Sequence, residues 1–157
     1  DSKYKEVIND CNELANAVEP YSLKADESSV LYEPILQALQ NSGLSSLMVP
    51  HEYGGRFHSV DPLAVCLARE RFMRTSSHLD SLFALQGIGS YAISMAGSEE
   101  QKEKWLPAVS KSEALAALAL TEPVAGSDLK GITTTVDRTM TKYIKVGILF
   151  FLFRNTT

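Results

Sequence analysis

The sequence predicts a mainly α protein, with a helical bundle over residues 1–112 and an incomplete β domain over residues 113–157. Apolar residues recur at helical spacing through the first two thirds of the chain, and Pro, Gly and capping residues divide that region into separate helices. After Lys111 the segments ITTTV and YIKVGILFFLF are rich in strand-favouring residues. The remaining stretch of about 45 residues is too short for a barrel or sandwich of usual size, so we expect the second domain to be cut short or replaced.

The first two helices are marked by an apolar stripe and by their ends. Helical spacing predicts a first helix that Pro20 closes, with the stripe Tyr4, Val7, Ile8, Cys11, Leu14 and Ala15. Pro34 suits the start of a second helix, because its missing N–H would have no partner there anyway. Gly43 then predicts that helix's C-terminal cap. The stretch MVPHEYGG, residues 48–55, is typical of a loop.

Two later helices carry start signals. Asp61 followed by Pro62 predicts a cap and a first turn for a helix that runs to about Arg74. Ser98 with Gln101 forms a capping-box pattern that opens the helix EEQKEKWL.

Between these two helices, an apolar stripe predicts another, which Gly97 ends. Its members are Leu82, Leu85, Ile88, Tyr91, Ala92 and Met95. Gly87 and Gly89 weaken this helix, because glycine is a poor helix former.

Charge and potential ligand residues exclude several functions. A net charge of −4 and a pI near 5.4, with no basic cluster, argue against a nucleic-acid-binding protein. Cys11 and Cys66 are too few for a disulfide framework, and we expect free thiols. His51, His58 and His78 lack metal-ligand spacing, so we expect no metal site.

Location is only partly constrained by the sequence. No secretory signal or membrane span is visible, and the apolar run of residues 146–153 is too short to cross a bilayer. We therefore expect a soluble protein of the bacterial cytoplasm or mitochondrial matrix, and the peroxisome also fits. The chain starts at Asp1 rather than Met, which leaves room for a removed targeting segment.

The loop LTEPVAGSD, residues 120–128, is the main candidate site. Gly126 would let the backbone approach a ligand closely, and Thr121 and Ser127 supply hydroxyls that donate and accept. A concave turn of N–H groups suits an anionic or heteroaromatic ligand. Taken alone, however, the composition favours an ordinary surface turn.

The neighbouring segments change that interpretation. The chain resembles the acyl-CoA dehydrogenase family over roughly residues 5–136, in the family's order and spacing. The segments that carry the resemblance are GLSSLMVPHEYGG at 43–55, AGSEEQKEKWLPAVSKSEALAALALTEPVAGSD at 96–128 and the strand ITTTV. The resemblance implies a helical N-terminal domain followed by the start of a middle β-barrel domain, with LTEPVAGSD as its flavin-and-substrate signature.

Residue roles follow from the resemblance. Leu118, Leu120 and Thr121 match positions along the FAD isoalloxazine ring, and Ser127 matches the position that serves both the flavin phosphates and the pantetheine arm of the acyl-CoA substrate. The rest of the signature would shape the loop, through Glu122, Pro123, Gly126 and Asp128. Acyl contacts are expected from the preceding helix, at Leu82, Phe83 and Leu85.

The implied reaction removes two hydrogens across the α,β carbons of an acyl-CoA. A carboxylate base takes the α proton and FAD accepts a hydride. In the full-length family, electrons pass to an electron-transferring flavoprotein and the subunits form dimers or tetramers.

The match decays after Val136. In the best ungapped alignment Tyr143 and Gly147 keep the family residues, but Leu149 replaces a lysine. Phe151 replaces a tryptophan packed on the flavin and keeps an aromatic plate there, whereas Phe153 replaces a threonine and loses its hydroxyl.

The chain then stops at Thr157, before the C-terminal helical domain that carries the family's catalytic glutamate. We therefore assign no catalytic residue in this chain, expect it to be inactive alone, and interpret it as a fragment or truncated product. Two alternatives stay open: a noncatalytic helical module without flavin, and an acyl-CoA oxidase.

Overall fold

The computed structural model describes residues 2–137, 144–146, 150–151 and 154–155. Its α-helices are α1 Ser2–Val18, α2 Ser22–Asp26, α3 Glu33–Ser42, α4 Pro62–Met73, α5 Ser77–Ala96 and α6 Glu99–Ser110. Single 3-10 turns cover Glu19–Tyr21, Leu44–Met48, His51–Tyr53 and Leu129–Gly131. The mainly α prediction is confirmed.

Short strands follow the helices. They are β1 Ala114–Leu115, β2 Leu118–Ala119, β3 Thr135–Asp137, β4 Ile144–Val146, β5 Phe150–Phe151 and β6 Arg154–Asn155. They pair antiparallel as β1 with β6, β2 with β5, and β3 with β4. Within the described residues these are separate two-stranded ladders that do not close into a barrel, as expected for an incomplete β domain. The domain boundary at residue 112 stays a prediction.

The predicted helix ends are confirmed by their hydrogen bonds. The Asp61 carboxylate accepts from the N–H groups of Leu63 and Ala64 at 3.0 and 3.3 Å. Gly43 ends α3 in the left-handed conformation with φ of 66°, which glycine adopts without strain. Ser98 and Gln101 form both bonds of a capping box at the start of α6.

The core lies between α1, α3, α4 and α5. Its centre is an edge-to-face pair of the Phe72 and Phe83 rings, whose centroids are 5.0 Å apart. Buried aliphatic side chains of α1 and α3 surround this pair, including Val7, Leu14, Ile35 and Leu39. A smaller cluster of Val49, Leu106, Val109 and Ala116 joins α6 to the first strands.

The C-terminal part of the α5 apolar stripe faces outward. Ile88, Tyr91 and Met95 are 48%, 58% and 67% exposed, whereas the buried face of the same helix carries Gln86 and Ser90 beside core residues. The stripe therefore locates the helix correctly, but a different face packs on the core. Within the described residues, no helix is both long enough and apolar enough to cross a membrane.

Candidate functional site

The signature loop begins at the end of β2 and turns sharply. Leu118 in β2 lies opposite Phe151 of β5. Three residues after the strand, the Glu122 N–H donates to the Ala125 carbonyl at 2.9 Å, and the Ala125 N–H donates back to the Glu122 carbonyl at 3.2 Å. This reciprocal pair places Pro123 and Val124 at the tip of a tight turn. Val124 is 82% exposed there.

Glu122 closes the loop through its side chain. The buried carboxylate accepts the Thr133 N–H and hydroxyl at 2.9 and 3.0 Å, the Thr134 N–H at 2.9 Å, and the Thr134 hydroxyl. These bonds, the Thr133 N–H first and then the Thr134 hydroxyl, outweigh the effect of burial and lower the pKa of Glu122 to about 2. A carboxylate so engaged is a poor proton acceptor, so these contacts favour a structural role for Glu122 over that of a general base.

The polar groups expected to meet a ligand face outward. Thr121 and Ser127 are exposed, and in the described part of the chain their hydroxyls form no hydrogen bond with another residue. Beside them, a Cβ built on Gly126 would meet no atom within 4 Å. Among the described residues, the N–H groups of Gly126 and Ser127 donate to no backbone carbonyl. The loop therefore offers two hydroxyls and two N–H groups to whatever occupies the space beside it.

The remaining expected flavin residues are only partly described. Leu118 is 37% exposed and Leu120 is half-buried. The backbone of Phe151 is placed opposite Leu118, but Phe153 lies outside the described residues. Tyr143, Gly147 and Leu149, at the other positions of the expected match, also lie outside them.

Two of the three expected acyl contacts face a hollow. Leu82 and Leu85 on α5 line a space of about 340 Å³ against the segment of residues 28–31. His78 borders the same space, and its Nε2 accepts the Tyr32 N–H at 3.1 Å. Phe83, by contrast, is fully buried against Phe72, so its ring belongs to the core rather than to a ligand wall.

A larger apolar groove lies between α4 and α5, and it was not part of the sequence expectation. It measures about 490 Å³, and its apolar lining includes Met48, Val60, Val65, Ala84, Ile88 and Tyr91. The outward stripe of α5 contained the signal, since Ile88 and Tyr91 belong to it. No sequence pattern indicated the groove residues of α4, because only the tertiary fold brings α4 against α5.

One buried charge stands beside this groove and is paired. Arg69 donates from Nε and Nη2 to the two carboxylate oxygens of Asp80, at 3.0 and 2.7 Å. Asp80 is 2% exposed, and its hydrogen bond raises the pKa of Arg69. Arg69 lines the groove and is half exposed, and its guanidinium is engaged with Asp80, so the rest of the lining remains largely apolar. Within the described residues, no three His, Cys, Asp or Glu side chains converge as metal ligands.

Comparison with known proteins identifies a family. The family model described as acyl-CoA dehydrogenase, N-terminal domain, matches residues 6–113. A probable acyl-CoA dehydrogenase of Bacillus subtilis is 42% identical over 115 residues, which cover 72% of this chain and 19% of that protein.

Solved structures share the fold. An acyl-CoA dehydrogenase of Bacillus anthracis, complexed with FAD, superposes with a TM-score of 0.77 at 31% identity, over 94% of this chain and 25% of that one. A structure from Acidaminococcus fermentans, described as an electron transferring flavoprotein, superposes with a TM-score of 0.83 at 26% identity, over 94% of this chain and 39% of that one.

This chain therefore spans well under half the length of the relatives that it matches. The matched stretch includes every helix of the bundle after the first turns of α1. The chain belongs to the acyl-CoA dehydrogenase family and contains its N-terminal helical part.

Proposed function

We propose that this chain supplies the N-terminal part of an FAD-dependent acyl-CoA dehydrogenase site, holding the flavin at residues 118–128 and the acyl chain against α5. The observation that carries the proposal is the closed signature loop. The Glu122 carboxylate bonds to the two threonines at 133 and 134, and the Thr121 and Ser127 hydroxyls remain exposed. The remainder of the site, including the carboxylate base, we assign to segments outside these 157 residues.

The groups present suit a flavin dinucleotide. The exposed N–H groups of Gly126 and Ser127 are donors for phosphate oxygens, and open space beside Gly126 lets a bulky group approach the backbone. Thr121, which follows β2 by two positions, presents a hydroxyl for the heteroaromatic ring. When bound, FAD would supply the hydride acceptor for α,β-dehydrogenation.

The chain's own residues would then bind and orient the ligands. The Ser127 hydroxyl would hold the phosphate region or the pantetheine arm, and Leu82 and Leu85 would exclude water from the acyl chain. The groove that contains Ile88 and Tyr91 offers further apolar surface on the same helix. In the complete protein we propose an electron-transferring flavoprotein as the acceptor of electrons, and a homo-oligomer.

Flavin binding tests this proposal directly. FAD is titrated into the purified chain, and quenching of flavin fluorescence is followed, with an absorbance scan after excess flavin is removed. Thr121→Val and Ser127→Ala should each weaken binding by about three- to tenfold, because each removes one hydrogen bond. Ser59→Ala, at another exposed serine, should leave binding unchanged.

A chain that neither quenches flavin fluorescence nor retains flavin absorbance after excess FAD is removed would overturn the proposal for these 157 residues and favour a noncatalytic helical module. We expect no dehydrogenation of acyl-CoA by this chain alone even when it binds FAD, because Glu122 is engaged and no other base is assigned. Oxygen consumption by a complete relative carrying this segment would instead indicate an acyl-CoA oxidase.

A further inference from the structure

Gln86 lies on the buried face of α5, and among the described residues its side chain bonds to backbone groups outside its own helix. Its Nε2 donates to the carbonyls of Ala114 and Val109 at 3.0 and 3.4 Å, and its Oε1 accepts the Ala116 N–H at 2.7 Å. A glutamine amide has two N–H donors and one carbonyl acceptor, so each kind of group is used here. These partners lie between the last turn of α6 and the start of β2.

Gly89 allows the same segment to lie against α5. A Cβ built at Gly89 would stand 2.6 Å from the Ala116 Cβ and 3.0 Å from the Ala117 nitrogen. Any side chain there would push the segment away from the helix. Gln86 therefore holds the segment, and Gly89 provides the space in which it is held.

The other end of this segment is fixed as well. Ser112 adopts a φ of 55°, a left-handed conformation that is uncommon for serine. Its carbonyl accepts from Gln40 Nε2 at 2.8 Å, and its hydroxyl bonds to that of Ser45 at 2.6 Å. The chain thus enters the segment in a direction set by α3 and the turn after it.

We propose that Gln86 and Gly89 are positioning residues, which fix the backbone of residues 114–117 against α5. They thereby fix the position of residues 118–121 relative to the expected acyl contacts, Leu82 and Leu85. The inference rests on the proposed function for its ligand, because the segment runs directly into β2. A buried leucine would fill the volume of Gln86 without bonds to this segment, so packing alone does not account for a glutamine.

Hydrogen exchange and FAD titration of the whole chain test the proposal with two variants. Gln86→Leu should speed exchange of amides in residues 114–118 by about tenfold or more, because the Ala116 N–H loses its buried partner. Gly89→Ala should have a similar effect, although alanine favours the helix over glycine. Both variants should weaken FAD binding by about tenfold and alter the visible flavin absorbance band.

Controls separate positioning from a general loss of stability. Phe72→Leu weakens the main core cluster, which does not include residues 114–117, and should leave exchange of residues 114–118 at the wild-type rate once global unfolding is subtracted. Ala116→Gly, added to Gly89→Ala, removes the 2.6 Å overlap and should restore part of the lost protection and flavin affinity.

Two results would overturn the proposal: unchanged exchange in Gln86→Leu and Gly89→Ala, or an equal change in Phe72→Leu. If the wild-type chain binds no FAD, the proposed function fails for this chain, while the exchange data still decide whether these residues position the segment. If FAD binds and the variants neither exchange faster nor bind more weakly, the positioning role alone is refuted.

Discussion

The carboxylate of Glu122 accepts both the backbone N–H and the hydroxyl of Thr133, a residue 11 positions further along the chain. The segment between them contains the tight turn and the exposed Ser127. One side chain therefore joins the two ends of the loop that we propose to hold FAD. The adjacent Thr134 repeats both contacts on the other carboxylate oxygen.

Replacement of Glu122 with Gln should open this loop while leaving the helical bundle folded. A carboxamide has one acceptor oxygen, so its NH₂ group would face the donors of one threonine. We expect FAD affinity to fall by about tenfold, with far-ultraviolet circular dichroism unchanged. Thr133→Val, which removes only one hydroxyl donor, should have a smaller effect. Equal FAD affinities for wild type and Glu122→Gln would contradict the proposal that the Glu122 hydrogen bonds hold the loop for FAD.

The pH dependence of the loop follows from the same contacts. The pKa of Glu122 is lowered from 4.5 to about 2, so the folded loop favours the charged form and gains stability above pH 4.5. That contribution falls progressively as the pH drops from about 4.5 to about 2. Nuclear magnetic resonance shifts of the Thr133 and Thr134 amides should therefore titrate with a midpoint near 2. A midpoint near 4.5 would show that the bonds do not persist, and Glu122→Gln should show no such titration.

The outer face of α5 yields a different prediction. Ile88 and Met95 are 48% and 67% exposed, so changing both to serine removes little buried surface. We expect the urea midpoint to stay close to that of the wild type. Binding of a hydrophobic dye should fall, because exposed apolar patches attract such probes. Leu39→Ala, at a fully buried position, should instead lower the midpoint clearly. A similar loss in the double variant would mean that this face is covered.

Local signals explain which parts of the fold were predictable. Gly43, Asp61 and Ser98 act within a few residues of their own positions, so their roles follow from sequence spacing alone. The sequence predicts only that Glu122 shapes the loop, and it does not indicate the threonine partners, which lie in a stretch marked only as a strand.

The orientation of α5 was less predictable. Its apolar stripe would suit a core, yet the buried face carries Gln86 and Gly89, which meet backbone about 30 residues away. Side-chain periodicity contains no information on such partners, because the contact depends on how a distant segment returns to the helix. For the same reason Phe83, expected among the acyl contacts, lies in the core beside Phe72.

The Arg69–Asp80 pair should matter more to stability than an exposed pair of similar composition. Asp80→Asn would turn an amide NH₂ toward the Arg69 guanidinium at a site where Asp80 is 2% exposed, leaving donors without acceptors. We expect a loss of about 2 kcal/mol in the free energy of unfolding, which is less than for a fully buried pair because Arg69 is half exposed. Glu70→Gln provides the control, since its pair with Arg74 spans 3.8 Å and both side chains are largely exposed. Urea denaturation should show a clear decrease in the midpoint for Asp80→Asn and almost none for Glu70→Gln. Equal midpoints in the two variants would mean that solvent reaches the Asp80 carboxylate, and that the groove beside it is more polar than its lining indicates.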